Sequence, residues 1–305
     1  MASVRDLVSQ LDALFDVERF AAAEPFRTSL AGLYGPGADR LTGLLPPGWA
    51  ERGNGLLLQG EGFDRPPCRV ACAVFPSGPV LAGVLAAGSR WPVQLLVLHH
   101  PACYRTRRGW APVPPDVLQA LGRAGVSIYA VHTPLDLHPR FGVSLNLSRH
   151  LGFAVDGPFY ETAGPGSPCA GVVASPPQPL GLAEFCRQVR RAVGVTRLDV
   201  LRHGTGAVRR VAVVAGGGHT LPGVIQRCVE ERCDTYLTGT VVERVPNERW
   251  QRSNAAFLAE AASKGVNLVG ASHCATEKFG LLALAEHLKG GGWPAEFLPC
   301  PRPWG

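Results

Sequence analysis

The sequence predicts an α/β protein of two similar lobes related by a pseudo-twofold, with a metal site in the crevice between them. Three observations lead there. Apolar strand-like runs alternate with helical stretches, which is the pattern of a sheet covered on both faces. The order of these runs occurs twice along the chain. Both copies end on the same spacing, a histidine and then an acid four positions on: His132 and Asp136 in the first, His273 and Glu277 in the second. A duplicated α/β unit brings equivalent strand ends together, and open α/β sheets carry their sites at the carboxyl ends of the strands.

The elements follow in order. Ser3 reads as an N-cap, and Leu7, Leu11, Leu14 and Phe15 recur at helical spacing, so the chain opens with an amphipathic helix. Residues 1–41 form an N-terminal helical extension, in which Phe26–Tyr34 reads as a further short helical piece. Residues 42–153 make the first lobe: strand 69–75, helix 79–88, strand 94–98, helix 115–124, strand 126–131 and helix 142–150. Clusters at Gly164–Pro168 and Ser175–Pro177 mark 154–181 as a Gly/Pro-rich connection rather than a core element. Residues 182–305 make the second lobe: helix 183–193, strand 209–215, helix 219–232, strand 234–238, helix 252–263, strand 266–271 and helix 276–288. Its Pro-rich tail, 294–304, is expected as an extended strap or edge strand.

Composition narrows the class. With 305 residues, 46% hydrophobic and 18% charged, the chain can bury a sizeable core. No run approaches the roughly 20 apolar residues of a membrane span. The first turns carry Arg5, Asp6, Asp12 and Asp16 rather than the basic-then-apolar layout of a signal peptide, and the protein reads as cytoplasmic. The net charge of +6 comes almost wholly from arginine, since only Lys264, Lys278 and Lys289 among the 30 basic residues are lysine. The densest run, Arg105, Arg107 and Arg108, reads either as a solvated loop or as an anion-steering rim. Nothing interleaves basic and aromatic residues as nucleic-acid binding would require. The nine cysteines include no Cys-x2-Cys pair, so neither a thiolate zinc site nor a disulfide framework is indicated. Cys68, Cys72, Cys228 and Cys233 read as small buried hydrophobes, and Cys274 as a non-ligand despite its place beside His273.

Adjacent His99 and His100 close the apolar run Gln94–Leu98, and Pro101 turns the chain away. Neighbouring strand side chains point to opposite faces, but where a strand gives way to a loop two rings can turn to two points on one side. His132 and Asp136 follow the strand at 126–131, with Pro134 suited to opening a helix; His273 and Glu277 follow the strand at 266–271. Each pair alone could be a cap or a packing contact, and their recurrence in the repeat argues for ligands. Imidazole and carboxylate donors without thiolate suit Zn, Fe, Mn or Co. Thr238–Gly239–Thr240 stands where His99–His100 stands in the first copy and lines the crevice without donating to a metal. Gly216–Gly217–Gly218 reads as a tight βα turn or a phosphate cradle. His138, His150, His203 and His287 show no partner pattern and read as surface or capping residues; His219 is a crevice candidate.

These residues resemble the Nif-three-like dinuclear metal-centre family, whose bacterial members are often called GTP cyclohydrolase type 2 homologues. The resemblance covers residues 42 to 300 and rests on Gly53–Gly60, Val97–Pro101, Val131–Asp136, Tyr236–Gly239 and Gly270–Glu277. It implies the Nif-three-like fold, and that His99, His100, Asp136, His273 and Glu277 hold two divalent metal ions, with His132 a ligand or just behind the ligands. It also implies a toroidal homohexamer with the metal sites facing an internal cavity. The chain departs from the family pattern at Thr240, often acidic there, at Ser272, usually glycine there, and at 246–253, which looks like an added loop.

The functional expectation is a metal-dependent hydrolase acting on a nucleotide-like or other small polar substrate, with His132 as the proton-transferring catalytic residue if it is not a ligand. The alternative is a non-enzymatic, metal-loaded scaffold that stores or delivers metal or binds a regulatory partner. No membrane partner is expected, and nucleic acid is unsupported.

Overall fold

The computed structural model of the chain describes residues 2–20, 45, 53–67, 69–86, 92–101, 103–106, 109–162 and 169–300. The helical piece expected at Phe26–Tyr34, Cys68, Arg107, Arg108 and the Gly164–Pro168 cluster lie outside the described residues. Two compact units result: Met1–Thr106, Trp110–His138 and Leu281–Pro301 form the first, and Arg107–Gly109, Pro139–Gly280 and Arg302–Gly305 the second. Among the described residues no helix is long and apolar enough to cross a membrane.

In chain order the first unit contains α1 (Val4–Phe15), α2 (Val17–Phe20), β1 (Gly55–Leu58), β2 (Val70–Ala73), α3 (Gly78–Ala86), β3 (Leu95–Leu98), β4 (Cys103–Thr106), β5 (Gly109–Pro112), α4 (Pro115–Arg123), β6 (Ser127–Ala130) and α5 (Thr133–Asp136). The second contains α6 (Val143–His150), β7 (Ala154–Glu161), β8 (Cys169–Ser175), β9 (Leu180–Gly181), α7 (Leu182–Val193), β10 (Asp199–Leu201), β11 (Ala207–Val208), β12 (Val211–Val214), α8 (Val224–Glu230), β13 (Thr235–Thr238), α9 (Glu248–Lys264) and β14 (Asn267–Gly270). Helix α10 (His273–Gly290) and strand β15 (Ala295–Phe297) complete the chain.

Ser3 caps α1 as its spacing predicts: the Ser3 hydroxyl accepts from the Asp6 amide while the Asp6 carboxylate accepts from the Ser3 amide, a reciprocal capping box. The helix buries Val4, Leu7, Val8, Leu11 and Phe15 within the first unit. There the Tyr129 hydroxyl of β6 donates to Asp12 Oδ1 at 2.9 Å, so the N-terminal helix is tied to a strand that leads into the histidine site.

Among the described residues the first sheet runs β1-β6-β3-β2-β15 and the second β10-β14-β13-β12-β8-β7. Strands β6, β3, β2 and β15 are parallel, and β1 is antiparallel to β6. Strands β14, β13 and β12 are likewise parallel, and β10 is antiparallel to β14. The duplication read from the sequence is therefore a duplication of topology: β1, β6, β3 and β2 correspond in order to β10, β14, β13 and β12. All four residues of β2, β3, β6, β12, β13 and β14 are buried, as strands covered on both faces must be.

The structure differs from the sequence boundaries in several places, and helix 142–150, expected at the end of the first lobe, is α6 of the second unit. The expected connection 154–181 is largely strand: β7 and β8 pair antiparallel, and β8 pairs with β12 to extend the second sheet. Its Gly and Pro content hides this. Pro158 lies in β7, which among the described residues ends the sheet, the kind of strand in which proline is tolerated. Gly171 has φ +77°, and a Cβ there would lie 2.5 Å from the Val213 carbonyl oxygen. The tail joins the first unit rather than the second, since β15 pairs parallel with β2 and Arg69 pairs with Glu296 across that seam. The segment expected as an added loop, 246–253, is helical from Glu248 onward as the start of α9, whose N-cap Asn247 accepts from the Trp250 amide at 3.1 Å.

Burial raises several neutral acids above their ordinary range. The Tyr129 hydroxyl is pushed well up by burial and by Asp12, Tyr236 likewise by burial, and the Cys72 and Cys233 thiols to about 12, again mainly by burial. Each of these groups favours its neutral form in the folded protein. Their contribution is thus complete below the unfolded pKa values and is lost as pH rises through them towards the folded ones. Thermal unfolding followed between pH 7 and 11 should show the melting temperature falling above about pH 9, where thiols and then phenols ionise in the unfolded chain; a flat profile would contradict this account.

Candidate functional site

The first unit supplies three buried imidazoles. Strand β3 is in register with both neighbours, Leu98 opposite Ala73 and Ala130. Strand β3 ends at Leu98 and the chain bends at His99 and His100, as the sequence suggests, with the bend anchored to the end of β2: the His99 amide donates to the Ala73 carbonyl at 3.1 Å and the His100 amide to that of Val74 at 2.9 Å. His99 is 0% exposed, His100 5% and His132 6%. Ligand atoms of these three residues all lie within 4.8 Å of one another. The His99 and His132 rings stack with centroids 4.7 Å apart, and the His100 ring stacks on Phe75 at 4.2 Å.

Hydrogen bonds define what His99 offers. Its Nδ1 lies 3.0 Å from the Val131 carbonyl, an acceptor, so in the neutral ring the proton sits on Nδ1. The Nε2 lone pair then faces Asp136 Oδ1 at 3.4 Å. Two acceptors pointed at each other repel, and a cation seated near both removes the repulsion. This is the arrangement of a metal-ligating histidine whose other nitrogen is fixed by a carbonyl. Asp136 closes α5, whose Pro134 lies in its first turn, and His132 stands at its N-cap. The His132 amide donates to Asn54 Oδ1 at 2.7 Å, and Asn54 is itself buried. Asn54 is a positioning residue that spacing arguments alone do not single out; its only signal is its place in the Gly53–Gly60 motif.

The second unit supplies a histidine–carboxylate pair. Helix α10 begins at His273, three residues before the expected start at 276, so His273 and Glu277 occupy one helical turn at i and i+4. Nε2 of His273 lies 2.9 Å from Glu277 Oε1, and both residues are buried. Ser272 immediately precedes the helix. It has φ +74°, and its carbonyl accepts from the Thr276 hydroxyl at 2.9 Å. The Val131 amide bonds the Leu98 carbonyl as the Ala271 amide bonds that of Thr238, so Ser272 corresponds to His132 and His273 falls one position later than strict repetition requires.

Glycines clear the space around this pair. A Cβ on Gly216, where φ is +74°, would lie 1.9 Å from Glu277 Oε1 and 3.1 Å from His273 Nε2; one on Gly239 would lie 2.6 Å from His273 Cα. The Gly216 amide donates to Thr276 Oγ1 at 3.0 Å, and its carbonyl accepts from the Thr240 amide. The glycine run lies in the turn that follows β12, and within it Gly216 is the wall against which Glu277 packs. Beyond it, His219 Nε2 lies 3.5 Å from Glu243 Oε2, both buried. The sequence singles out His219 but gives no signal for Glu243. His138 and His150 pack edge-on or tilted against Phe15 and Phe279. Cys274 is buried.

A sequence profile of the family described as Duf34/NIF3 (NGG1p interacting factor 3) matches residues 41–298. The chain belongs to the Duf34/NIF3 family. It is 35% identical over 260 residues to a protein of Pseudomonas aeruginosa named GTP cyclohydrolase 1 type 2 homolog, covering 82% of this chain and 89% of that one. A Deinococcus radiodurans protein of the same name is 29% identical, covering 81% and 85%. Two solved structures share the α/β fold: the protein ybgI, of unknown function, with a TM-score of 0.68 at 21% identity over 99% of this chain and 100% of that one, and TTHA1606 from Thermus thermophilus, with a TM-score of 0.65 at 24% identity over 98% of each.

Two substitutions test this geometry. Gly216→Ala should destabilise the protein by about 2–5 kcal/mol, the sum of a left-handed backbone penalty and overpacking against Glu277; denaturant unfolding that matches the wild type would contradict the cradle. Ser272→Gly should stabilise it by about 1 kcal/mol, because glycine adopts the left-handed conformation freely and replaces a serine cap at little cost. A lower unfolding midpoint for that variant would show that the Ser272 side chain matters more than its backbone strain.

Proposed function

We propose that the protein is a metal-dependent hydrolase acting on a nucleotide-like or other small polar substrate, with His99, His100, Asp136, His273 and Glu277 holding two divalent ions of the Zn, Fe, Mn or Co type. The observation that carries this reading is the convergence of buried His99, His100 and His132 donor atoms within 4.8 Å, with the His99 lone pair turned towards Asp136. The donor set, imidazole and carboxylate, suits such ions. Ions bound there would supply Lewis-acid polarisation of a substrate and activation of water near neutral pH.

The chain's own residues have separable roles. Val131 fixes the His99 tautomer through its carbonyl. Asn54 fixes the backbone at His132, whose imidazole is the side chain suited to moving a proton during hydrolysis. Gly216 and Gly239 leave room for Glu277 and His273 to lie close to the backbone. The name borne by the Pseudomonas aeruginosa and Deinococcus radiodurans relatives favours a nucleotide-like substrate. We also propose a homohexamer and a cytoplasmic setting. The family description names an interacting factor, which favours a second reading: a metal-loaded scaffold that stores or delivers metal or binds a regulatory protein.

Metal analysis by inductively coupled plasma mass spectrometry should find about two transition-metal ions per chain, lost in His99→Ala and in Glu277→Ala. A content below roughly a tenth of an ion per chain after reconstitution with Zn, Mn and Fe would sink the metal assignment. With His132 behind the ligands, His132→Ala should keep its metal and its fold while losing turnover in a screen that begins with nucleotides; loss of metal in that variant makes His132 a ligand instead. The scaffold reading predicts instead that no nucleotide is turned over and that His132→Ala leaves partner or metal exchange unchanged.

A further inference from the structure

Helix α7 buries Leu182, Phe185, Val189 and Val193 and turns Arg187, Arg190 and Arg191 to the opposite, exposed side. Beside it runs β10, which among the described residues pairs only with β14. Between them lies a groove of about 710 Å³ lined by Cys186, Arg187, Arg190, Leu198, Val200 and Arg202, among others. A recess of about 310 Å³ adjoins it and adds Arg191. That volume is in the range of pockets that take small ligands.

The charge in this groove is only partly neutralised by ion pairs among the described residues. Glu184 pairs with Arg187, and Asp199, the acid on β10, is held by Arg244 through two bonds of 2.7 and 2.8 Å. Among the described residues Arg190, Arg191 and Arg202 form no ion pair. Arg187 lies three residues before Arg190 and four before Arg191 on one helical face, a spacing at which like charges destabilise the helix. Gly206 leaves room for the Arg202 guanidinium, since a Cβ there would lie 3.3 Å from Arg202 Nη2. Against these cations stands Val200, a large apolar side chain that is 43% exposed.

We propose that this groove binds a small ligand carrying two or more phosphate groups, with its phosphates on Arg190, Arg191 and Arg202. Guanidinium groups match phosphate oxygens bidentately, and several around one recess select a polyphosphate over a single anion. The groove shares no residue with the histidine site, so this assignment is independent of the metal reading.

Isothermal titration of the full-length protein with ATP, with inorganic tripolyphosphate and with a hexaglutamate peptide tests it. Because a nucleotide could also bind at the histidine site, the comparison is made in a His99→Ala background: both phosphate probes should bind that protein, and adding Arg190→Gln/Arg202→Gln should weaken the binding at least about tenfold. Tighter binding of ATP than of tripolyphosphate would assign the ligand to nucleotides, and equal binding to inorganic polyphosphates; both support the site. Both arginines are exposed, so the double variant should keep the wild-type melting temperature, and Arg190→Lys/Arg202→Lys should recover part of the affinity. The proposal is overturned if, in the His99→Ala background, the glutamine substitutions leave binding unchanged, if neither phosphate probe binds at about 1 mM, or if hexaglutamate binds more tightly than both.

Discussion

The in-register pairing of β3 with β6, and of β13 with β14, is the constraint from which the rest of the candidate site follows. Leu98 stands opposite Ala130 and Thr238 opposite Gly270, and every residue of these four strands is buried. A slip of one residue would turn each side chain to the other face of its sheet. The register therefore fixes where the first polar residue after each strand emerges. In the first unit it delivers the Val131 carbonyl to His99 Nδ1. In the second it brings the loops that follow β12 and β13 against the start of α10.

Burial then dictates the chemistry of those emerging residues. An imidazole removed from water must have its N–H satisfied, and the Val131 carbonyl does this for His99 while leaving a lone pair directed at Asp136. In the second unit the same demand is met differently. His273 and Glu277 contact each other along one helical turn, and two glycines remove the Cβ atoms that would collide with them. One unit thus places its donors at strand ends and the other at a helix start, although both share the same strand order.

The local elements are legible because strand and helix periodicities are properties of neighbouring residues. Leu95–Leu98 and Val211–Val214 are apolar throughout, which only a doubly covered strand explains, and Ser3 with Asp6 writes a helix start in four residues. Where periodicity is interrupted, the reading fails. Pro158 and Gly171 make two long strands look like a connection, because their cost depends on which edge is paired and which backbone approaches, and neither is a local property. Asn247 reads as part of an added loop although it is a helix cap, since its side-chain bond appears only once the chain has turned.

By itself the sequence determined the α/β class, the duplicated strand order and the residues able to ligate a metal, because each is set by residue type and spacing. Only the tertiary structure decided that the C-terminal strand joins the first sheet, that His273 falls one position out of the repeat, and that Gly216 faces Glu277. Those outcomes depend on backbone conformation and on contacts between segments distant in sequence, where a left-handed residue or a missing Cβ changes which atoms can meet.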